Sequence, residues 1–184
     1  PRPRARPRDG LGTARPPLKG DGSPMQASDV LPMATLPPYS LAEPHATLVK
    51  FGFPRTCLHL GEHWAVLVRP AQVTLGSLVL CSVRDIRAFG DLPSEAFAEQ
   101  GALIAQIEQL LTRFSRYEKI NYLMLMMVDP QVHFHVLPRY EGTRSHGGGD
   151  YPDSGWPGFP DLARTTQATE ALVEELKSAW KRND

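Results

Sequence analysis

The segment from position 131 to position 139 constrains the fold more than any other part of the chain, because its side chains alternate strictly in character. Alternate residues of an extended strand point to opposite faces. One face would therefore carry Gln131, His133, His135 and Leu137. The intervening side chains, Val132, Phe134 and Val136, are apolar enough to lie on a core. The segment predicts a half-buried strand with two imidazoles about 7 Å apart on one face.

The composition is that of one globular domain with a tail. The 184 residues are 41% hydrophobic, and 20 basic side chains balance 20 acidic ones, so no overall charge draws the chain to nucleic acid or membrane. No apolar run approaches the roughly 18 residues of a membrane span, and the N-terminus lacks the apolar region of a secretion signal. We therefore expect a cytoplasmic protein in which Cys57 and Cys81 are reduced thiols.

Residues 1–44 differ in character from the rest of the chain. They hold ten of the eighteen prolines and few aromatic residues. Such a segment buries too little apolar area to offset the entropy lost on ordering. We predict that residues 1–44 are disordered or draped over the surface, and that residues 45–184 form a single domain with an irregular loop at 140–164.

Hydrophobic periodicity predicts the order of elements in that domain. We expect three strands at residues 56–60, 63–69 and 77–82, a long helix at 94–117, two further strands at 121–128 and 131–137, and a final helix from 165 or 166 to 182. Asp129 and Pro130 would form a very short turn, so that the last two strands make a hairpin. The prediction is an α+β domain with an antiparallel sheet of about five strands, one long helix and one C-terminal helix.

Two histidines at alternate positions of a strand admit three interpretations. In the first, one imidazole attacks phosphorus and the second contacts a phosphate oxygen or the leaving group. In the second, both histidines bind a metal, and a third ligand comes from elsewhere in the chain. The candidates for that ligand are His59, His63 and His146. In the third, the histidines are structural and satisfied by hydrogen bonds. Spacing alone does not decide among the three.

The same segment resembles a known signature. Residues 131–139 are similar to the His-φ-His-φ-His-φ-φ motif of the histidine triad (HIT) superfamily, followed by the Leu-Pro-Arg common in its diadenosine polyphosphate hydrolase branch. The residues from His63 to Val79 resemble that branch's second strand, glycine turn and third strand. The helix from Pro93 and the strand from Asn121 follow in the family's order. The resemblance covers roughly residues 50–140.

This resemblance implies a fold, a chemistry and a set of site residues. The family fold is a five-stranded antiparallel sheet with two helices, usually paired as a homodimer. The middle triad position, His133, would be the nucleophile that forms a nucleotidyl-histidine, and His135 would contact the phosphates. Arg139 and Arg69 are candidates for phosphate or nucleotide contacts. No metal held by the protein is implied, and any magnesium is expected to arrive with the nucleotide.

The chain departs from the family pattern at three places. Gln131 stands at the first triad position, where it would orient the nucleophile without exchanging a proton. The Gly-x-x-Ala-Gly-Gln segment that normally precedes the triad is absent, and Arg69 stands where the branch has an asparagine. The sequence therefore predicts a hydrolase of dinucleoside polyphosphates or related nucleotides. A nucleotidyltransferase or phosphorylase with the same intermediate, and a catalytically weak nucleotide-binding module, stay open.

Overall fold

The computed structural model describes residues 43–182. The interpretation of residues 1–42 as disordered or surface-draped lies outside the described residues. In chain order the helices are α1 (Ala46–Lys50), α2 (Ser94–Phe114) and α3 (Glu170–Lys181), with a short 3₁₀ turn at Phe89–Asp91. The strands are β1 (Cys57–Leu60), β2 (Trp64–Val68), β3 (Ala71–Gln72), β4 (Leu78–Ser82), β5 (Lys119–Leu123), β6 (His133–Arg139), β7 (Thr143–His146), β8 (Gly149–Pro152) and β9 (Thr166–Gln167).

Five of these strands form one antiparallel sheet in the order β1-β2-β4-β6-β5. The remaining strands form two small ladders, β3 with β9 and β7 with β8. The predicted α+β domain, with its five-stranded antiparallel sheet, is therefore confirmed. Its long helix is α2, and its C-terminal helix is α3.

The histidine strand β6 is an inner strand of the sheet. It lies between β4, where Cys81 faces His133 and Val79 faces His135, and β5, where Leu123 faces His135. Strands β2, β4 and most of β6 are fully buried, because both faces of the sheet are covered. His135 is thus fixed by ladders on both sides of its strand, and His133 by the ladder to β4.

Two hydrophobic clusters cover the two faces of the sheet. The larger cluster packs one face of the sheet against the apolar sides of α2 and α3, and Val132 and Val136 belong to it. The smaller cluster lies on the opposite face and joins Leu48 and Phe51 to side chains of β2 and β4, namely Ala65, Leu67, Val79 and Cys81. This second face is the one to which His133 and His135 point, as the alternation predicts.

The strand predicted at 121–128 is wrong beyond Leu123. Residues 124–132 form a loop, and Met127 and Val128 are 93% and 80% exposed. The ladder between β5 and β6 ends at the pair of Leu123 and His135, so the following residues have no strand to pair with. Asp129 instead forms an ion pair with Lys50 of α1 at 2.7 Å. The predicted two-residue turn is therefore a nine-residue loop.

The prediction of an irregular loop at 140–164 is also wrong in part. Strands β7 and β8 form a hairpin within it, and Gly147 and Gly148 make the turn with φ angles of 55° and 79°. Glycine adopts such left-handed angles without steric cost. The final helix begins later than predicted, because the hydroxyl of Thr169 accepts a hydrogen bond from the backbone N–H of Leu172 and caps it.

Candidate active site

The site is covered on one side by α1, a helix too short to be stable by itself. Its first turn is capped by His45, whose Nδ1 accepts from the backbone N–H of Leu48 at 3.3 Å while its Nε2 donates to the carbonyl of Ser82 at 2.8 Å. At its other end, Lys50 donates to both carboxylate oxygens of Asp129. Tertiary contacts at both ends therefore hold α1 against the sheet.

His133 is fully buried, and its orientation is set by the backbone before it. Its Nδ1 lies 2.7 Å from the carbonyl oxygen of Gln131. A carbonyl oxygen can only accept, so the ring proton is on Nδ1 and donates to it. The Nε2 atom has no hydrogen-bond partner within the described residues. His133 thus presents a nitrogen lone pair at Nε2, which is the arrangement that a nucleophilic imidazole needs.

His135 is neutral at physiological pH. Burial, followed by charge repulsion from neighbouring His133 and Arg69, lowers the pKa of its imidazole to about 4. The ring centroids of His133 and His135 are 5.0 Å apart and nearly perpendicular. A neutral imidazole at this place donates one N–H to a ligand rather than carrying a positive charge.

Phe51, just after α1, contacts both imidazoles. Its ring centroid is 5.7 Å from that of His133 and 5.6 Å from that of His135. His135 and Phe51 line a neighbouring pocket, whereas His133 does not. The two rings therefore stand between His133 and the pocket.

The pocket has a volume of about 400 Å³, and its lining combines the cations Lys50 and Arg69 with the carboxylate of Asp129, which is paired with Lys50, and an apolar rim. Arg69 lies in its wall, with Nε and Nη1 buried and without a hydrogen-bond partner among the described residues. Burial lowers the pKa of this guanidinium, because it disfavours the charged form. A bound anion would offset this free-energy cost of burying the charge. The rim is formed by Leu125, Met127 and Val128 of the loop before β6. A phosphate beside His135 and Arg69 fits this arrangement.

The predicted site residues divide into two groups. His133, His135 and Arg69 are brought together, and Gln131 contacts His133 through its main chain. Arg139 is not part of this group. Its guanidinium is buried and binds the carboxylate of Asp153 at 2.6 and 3.0 Å. It also lines a separate cleft of about 610 Å³ with residues 156–160, which contains no histidine.

The three further histidines that the sequence offers as metal ligands have partners of their own. His59 stacks against Trp180, His146 binds the carboxylate of Glu175 at 2.8 Å, and His63 lies 3.9 Å from that of Glu62. Within residues 43–182, no three His, Cys, Asp or Glu side chains are grouped to bind a metal ion. Helices of that same range are all too short or too polar to cross a membrane.

Four residues of the site carry no signal in the sequence. Phe51 and Lys50 approach the histidines only because α1 docks on the sheet, and Thr47 binds Gln131 from the same helix. Asp85 reaches Gln131 from the segment after β4. None of the four belongs to a recognisable sequence motif, so only the folded structure identifies them.

Comparisons with known proteins show which fold the chain shares. No family model and no curated protein matches the sequence. Among solved structures, a histidine triad protein from Bradyrhizobium japonicum has a TM-score of 0.59 and 22% identity over 80% of this chain and 98% of its own. A histidine triad protein from Sinorhizobium meliloti has a TM-score of 0.60 and 20% identity over 76% of this chain and 95% of its own.

A third match is the diadenosine triphosphate hydrolase of Plasmodium falciparum in complex with cyclomarin A. Its TM-score is 0.51, with 12% identity over 70% of this chain and 76% of its own. At these identities the likeness concerns the fold. The predicted resemblance to the histidine triad fold is confirmed.

Proposed function

We propose that this chain is a nucleotide hydrolase of the histidine triad type, which cleaves dinucleoside polyphosphates or related nucleotides through a nucleotidyl-histidine. The observation that carries the proposal is the pair of imidazoles on β6. The imidazole of His133 has its proton on Nδ1, and that of His135 is neutral beside the unpaired guanidinium of Arg69. A nucleophile, a hydrogen-bond donor and a fixed cation are the groups that phosphoryl transfer requires.

The first step would form the covalent intermediate. Nε2 of His133 attacks the α-phosphorus, the bond from phosphorus to the leaving oxygen breaks, and the nucleotide stays on nitrogen as a phosphoramidate. The Gln131 carbonyl stabilises the positive charge that develops on the ring, because it accepts from Nδ1–H. Arg69 binds the phosphate oxygens and balances their charge.

The second step would release the nucleotide. Water attacks phosphorus, the bond to Nε2 breaks, His133 regains its lone pair, and one proton of the water is released to solvent. In the first step His135 donates its N–H to the leaving oxygen, and in the second step it donates to a phosphate oxygen; its neutral form is suited to both. This sequence uses no metal held by the protein, and any magnesium would enter with the nucleotide.

Turnover of this kind needs His133 to become accessible. Phe51 and His135 separate it from the pocket, so the Phe51 ring must turn aside for phosphorus to approach Nε2. A rotamer change of one ring at the C-terminal end of a five-residue helix is a local motion.

The complete burial of His133 favours a second candidate function, a nucleotide-binding module with little or no catalysis. Here Arg69 and His135 would bind phosphate while His133 stays enclosed. The two functions differ in one measurable respect, because only the hydrolase forms a covalent bond to His133.

Product analysis on a panel of dinucleoside polyphosphates and nucleoside phosphoramidates tests the proposal. A hydrolase gives a nucleoside monophosphate and, on acid-free quenching, an acid-labile and base-stable label on His133. His133→Ala should abolish both, with His146→Ala as the matched control. Stimulation by added phosphate would indicate a phosphorylase, and tight binding without turnover would indicate the binding module. Full activity in His133→Ala contradicts the mechanism.

We further propose that two copies pair along β5. Within residues 43–182, β5 pairs only with β6, so the backbone groups on its outer edge are free to extend the sheet.

A further inference from the structure

The side chain of Gln131 joins two separate parts of the site. It is almost fully buried, and both ends of its amide are engaged. Its Oε1 accepts from the hydroxyl of Thr47 at 2.5 Å, and its Nε2 donates to Asp85 Oδ1 at 2.8 Å. A buried amide with both ends bound has one orientation only, because any rotation leaves polar atoms unsatisfied.

The main chain of the same residue holds the nucleophile. The Gln131 carbonyl accepts from Nδ1 of His133 at 2.7 Å, and this bond decides which ring nitrogen carries the proton. The side chain and the carbonyl of Gln131 share one Cα. A constraint on the amide therefore also restricts the rotation of the carbonyl toward His133.

We propose that Thr47 and Asp85 are positioning residues that act through Gln131 to fix the tautomer and orientation of His133. The inference rests on the proposed function for its kinetic consequence but not for its structural one. Thr47 connects the nucleophile to α1, and Asp85 connects it to the segment after β4. Gln131, at the first triad position, cannot exchange a proton. It is instead held at three points, which are Thr47, Asp85 and the bond from its own carbonyl to His133.

Two backbone hydrogen bonds next to Gln131 offer a competing explanation. The N–H of Val132 donates to the carbonyl of Ile86 at 2.7 Å, and the carbonyl of Val132 accepts from Ser82 N–H at 2.9 Å. If these bonds alone fix the start of β6, the side-chain network only satisfies buried polar groups. The two explanations predict different spectra for His133 once the network is cut.

Imidazole ¹⁵N NMR on the full chain labelled at histidine distinguishes them, with His133→Gln used to assign the signals. The wild type should show His133 with the proton on Nδ1. Thr47→Val removes the hydroxyl at constant size, so the signals should move toward a mixture of tautomers. Thr47→Ser keeps a hydroxyl and should restore the wild-type spectrum.

Asp85→Ala supplies a second variant at a partly exposed position that the fold tolerates more readily. It should shift the His133 signals in the same direction. Arg87→Ala is the matched control. Arg87 is the other partner of Asp85, at 3.0 Å, and its removal leaves the bond from Asp85 to Gln131 in place. The control should leave the His133 spectrum unchanged.

Kinetics on a hydrolysed nucleotide supply the second measurement. Thr47→Val should lower kcat by about 10- to 100-fold through a misplaced nucleophile and leave KM nearly unchanged, and Thr47→Ser should restore most of kcat. Wild-type tautomer and kcat in both Thr47→Val and Asp85→Ala would overturn the proposal. A protein without turnover would contradict the proposed function, while the NMR comparison would still decide the role of the network.

Discussion

At the scale of single residues, His135 has the most strongly altered acid–base behaviour in the site. Its pKa in the folded protein is about 4, against 6.5 for an unperturbed imidazole. Between these values the unfolded chain binds a proton that the folded chain does not, so stability is complete above pH 6.5 and falls as the pH drops toward 4. The displacement corresponds to about 3 kcal/mol at most.

Urea denaturation at several pH values measures this effect. His135→Gln replaces the imidazole with a neutral polar group, so its free energy of unfolding should fall much less between pH 6.5 and pH 4. His146→Gln, at a site of the same domain far from the pocket, should keep the wild-type pH dependence. An equal loss in all three proteins would show that folding does not lower the pKa of His135.

Arg69 is expected to lower the free energy of unfolding and to be necessary for ligand binding. Its buried Nε and Nη1 have no partner within the described residues. Arg69→Met keeps most of the apolar stem and removes the charge, so it should raise the free energy of unfolding by about 1–3 kcal/mol. The same variant should weaken binding of a nucleoside monophosphate by about tenfold or more.

Calorimetric titration and denaturant unfolding on the same samples test both halves of this prediction. Arg113→Met, on the exposed side of α2, is the matched control and should change neither quantity. A variant at position 69 that is less stable, or that binds as tightly as the wild type, would show that the guanidinium has a structural partner instead.

The residues of the site were predictable to the extent that they share one strand. His133 and His135 share one face by the alternation of a single segment, and Arg69 was selected by the family resemblance, because it stands where the branch has an asparagine after the second strand. Thr47 and Asp85 were not predictable, because their contacts with Gln131 cross 84 and 46 positions of the chain. Arg139 lies apart from the two histidines, and its sequence proximity to the triad does not reveal its buried partner Asp153.

At the scale of elements, the pair of Arg139 and Asp153 joins β6 to the segment that follows β8. Both side chains are almost fully buried, and Arg139 also donates to Asn121 of β5 at 2.9 Å and to the Gly158 carbonyl at 3.1 Å. Removal of one partner from such a pair leaves an uncompensated charge, which costs about 3–5 kcal/mol.

A double-mutant cycle measures this ion pair. Asp153→Leu and Arg139→Met should each lower the melting temperature strongly, and the double variant should lose less than the sum of the two. Nucleotide affinity of the folded double variant should match the wild type, because neither residue contacts the pocket of Arg69. Additive losses of stability, or a selective loss of nucleotide affinity, would instead support a phosphate-binding role for Arg139.

The elements show where apolar patterning predicts structure and where it fails. Strands β2, β4 and β6 and helix α2 were predicted because their apolar positions follow the period of their own structure. The segment from Asn121 to Val128 was wrongly predicted to be a strand along its whole length for the same reason, since it is apolar enough for a buried strand. Its second half has no neighbouring strand to pair with, and pairing is a property of the sheet rather than of the run.

At the scale of the whole molecule, the proposed pairing along β5 predicts a concentration-dependent dimer. Light scattering on a sizing column should give twice the 20.4 kDa of one chain. The outward-facing amide protons of Lys119–Leu123 should exchange slowly in concentrated samples and rapidly after dilution, whereas those of inner strand β4 should stay protected. A monomer with a fast-exchanging β5 edge at high concentration contradicts the pairing.

The bond from Thr47 to Gln131 has a consequence for the order in which the protein forms. It spans 84 positions, and the ion pair from Lys50 to Asp129 spans 79. Contacts of such high contact order form late, because the entropy of closing a long loop must be offset by the structure between its ends. The docking of α1 therefore waits for β6, the last strand of the five-stranded sheet in chain order. The ability of His133 to react should consequently appear in the slowest kinetic phase of refolding. A nascent chain that ends before β6 has the earlier strands of the sheet but lacks His133 and His135, and so has no site.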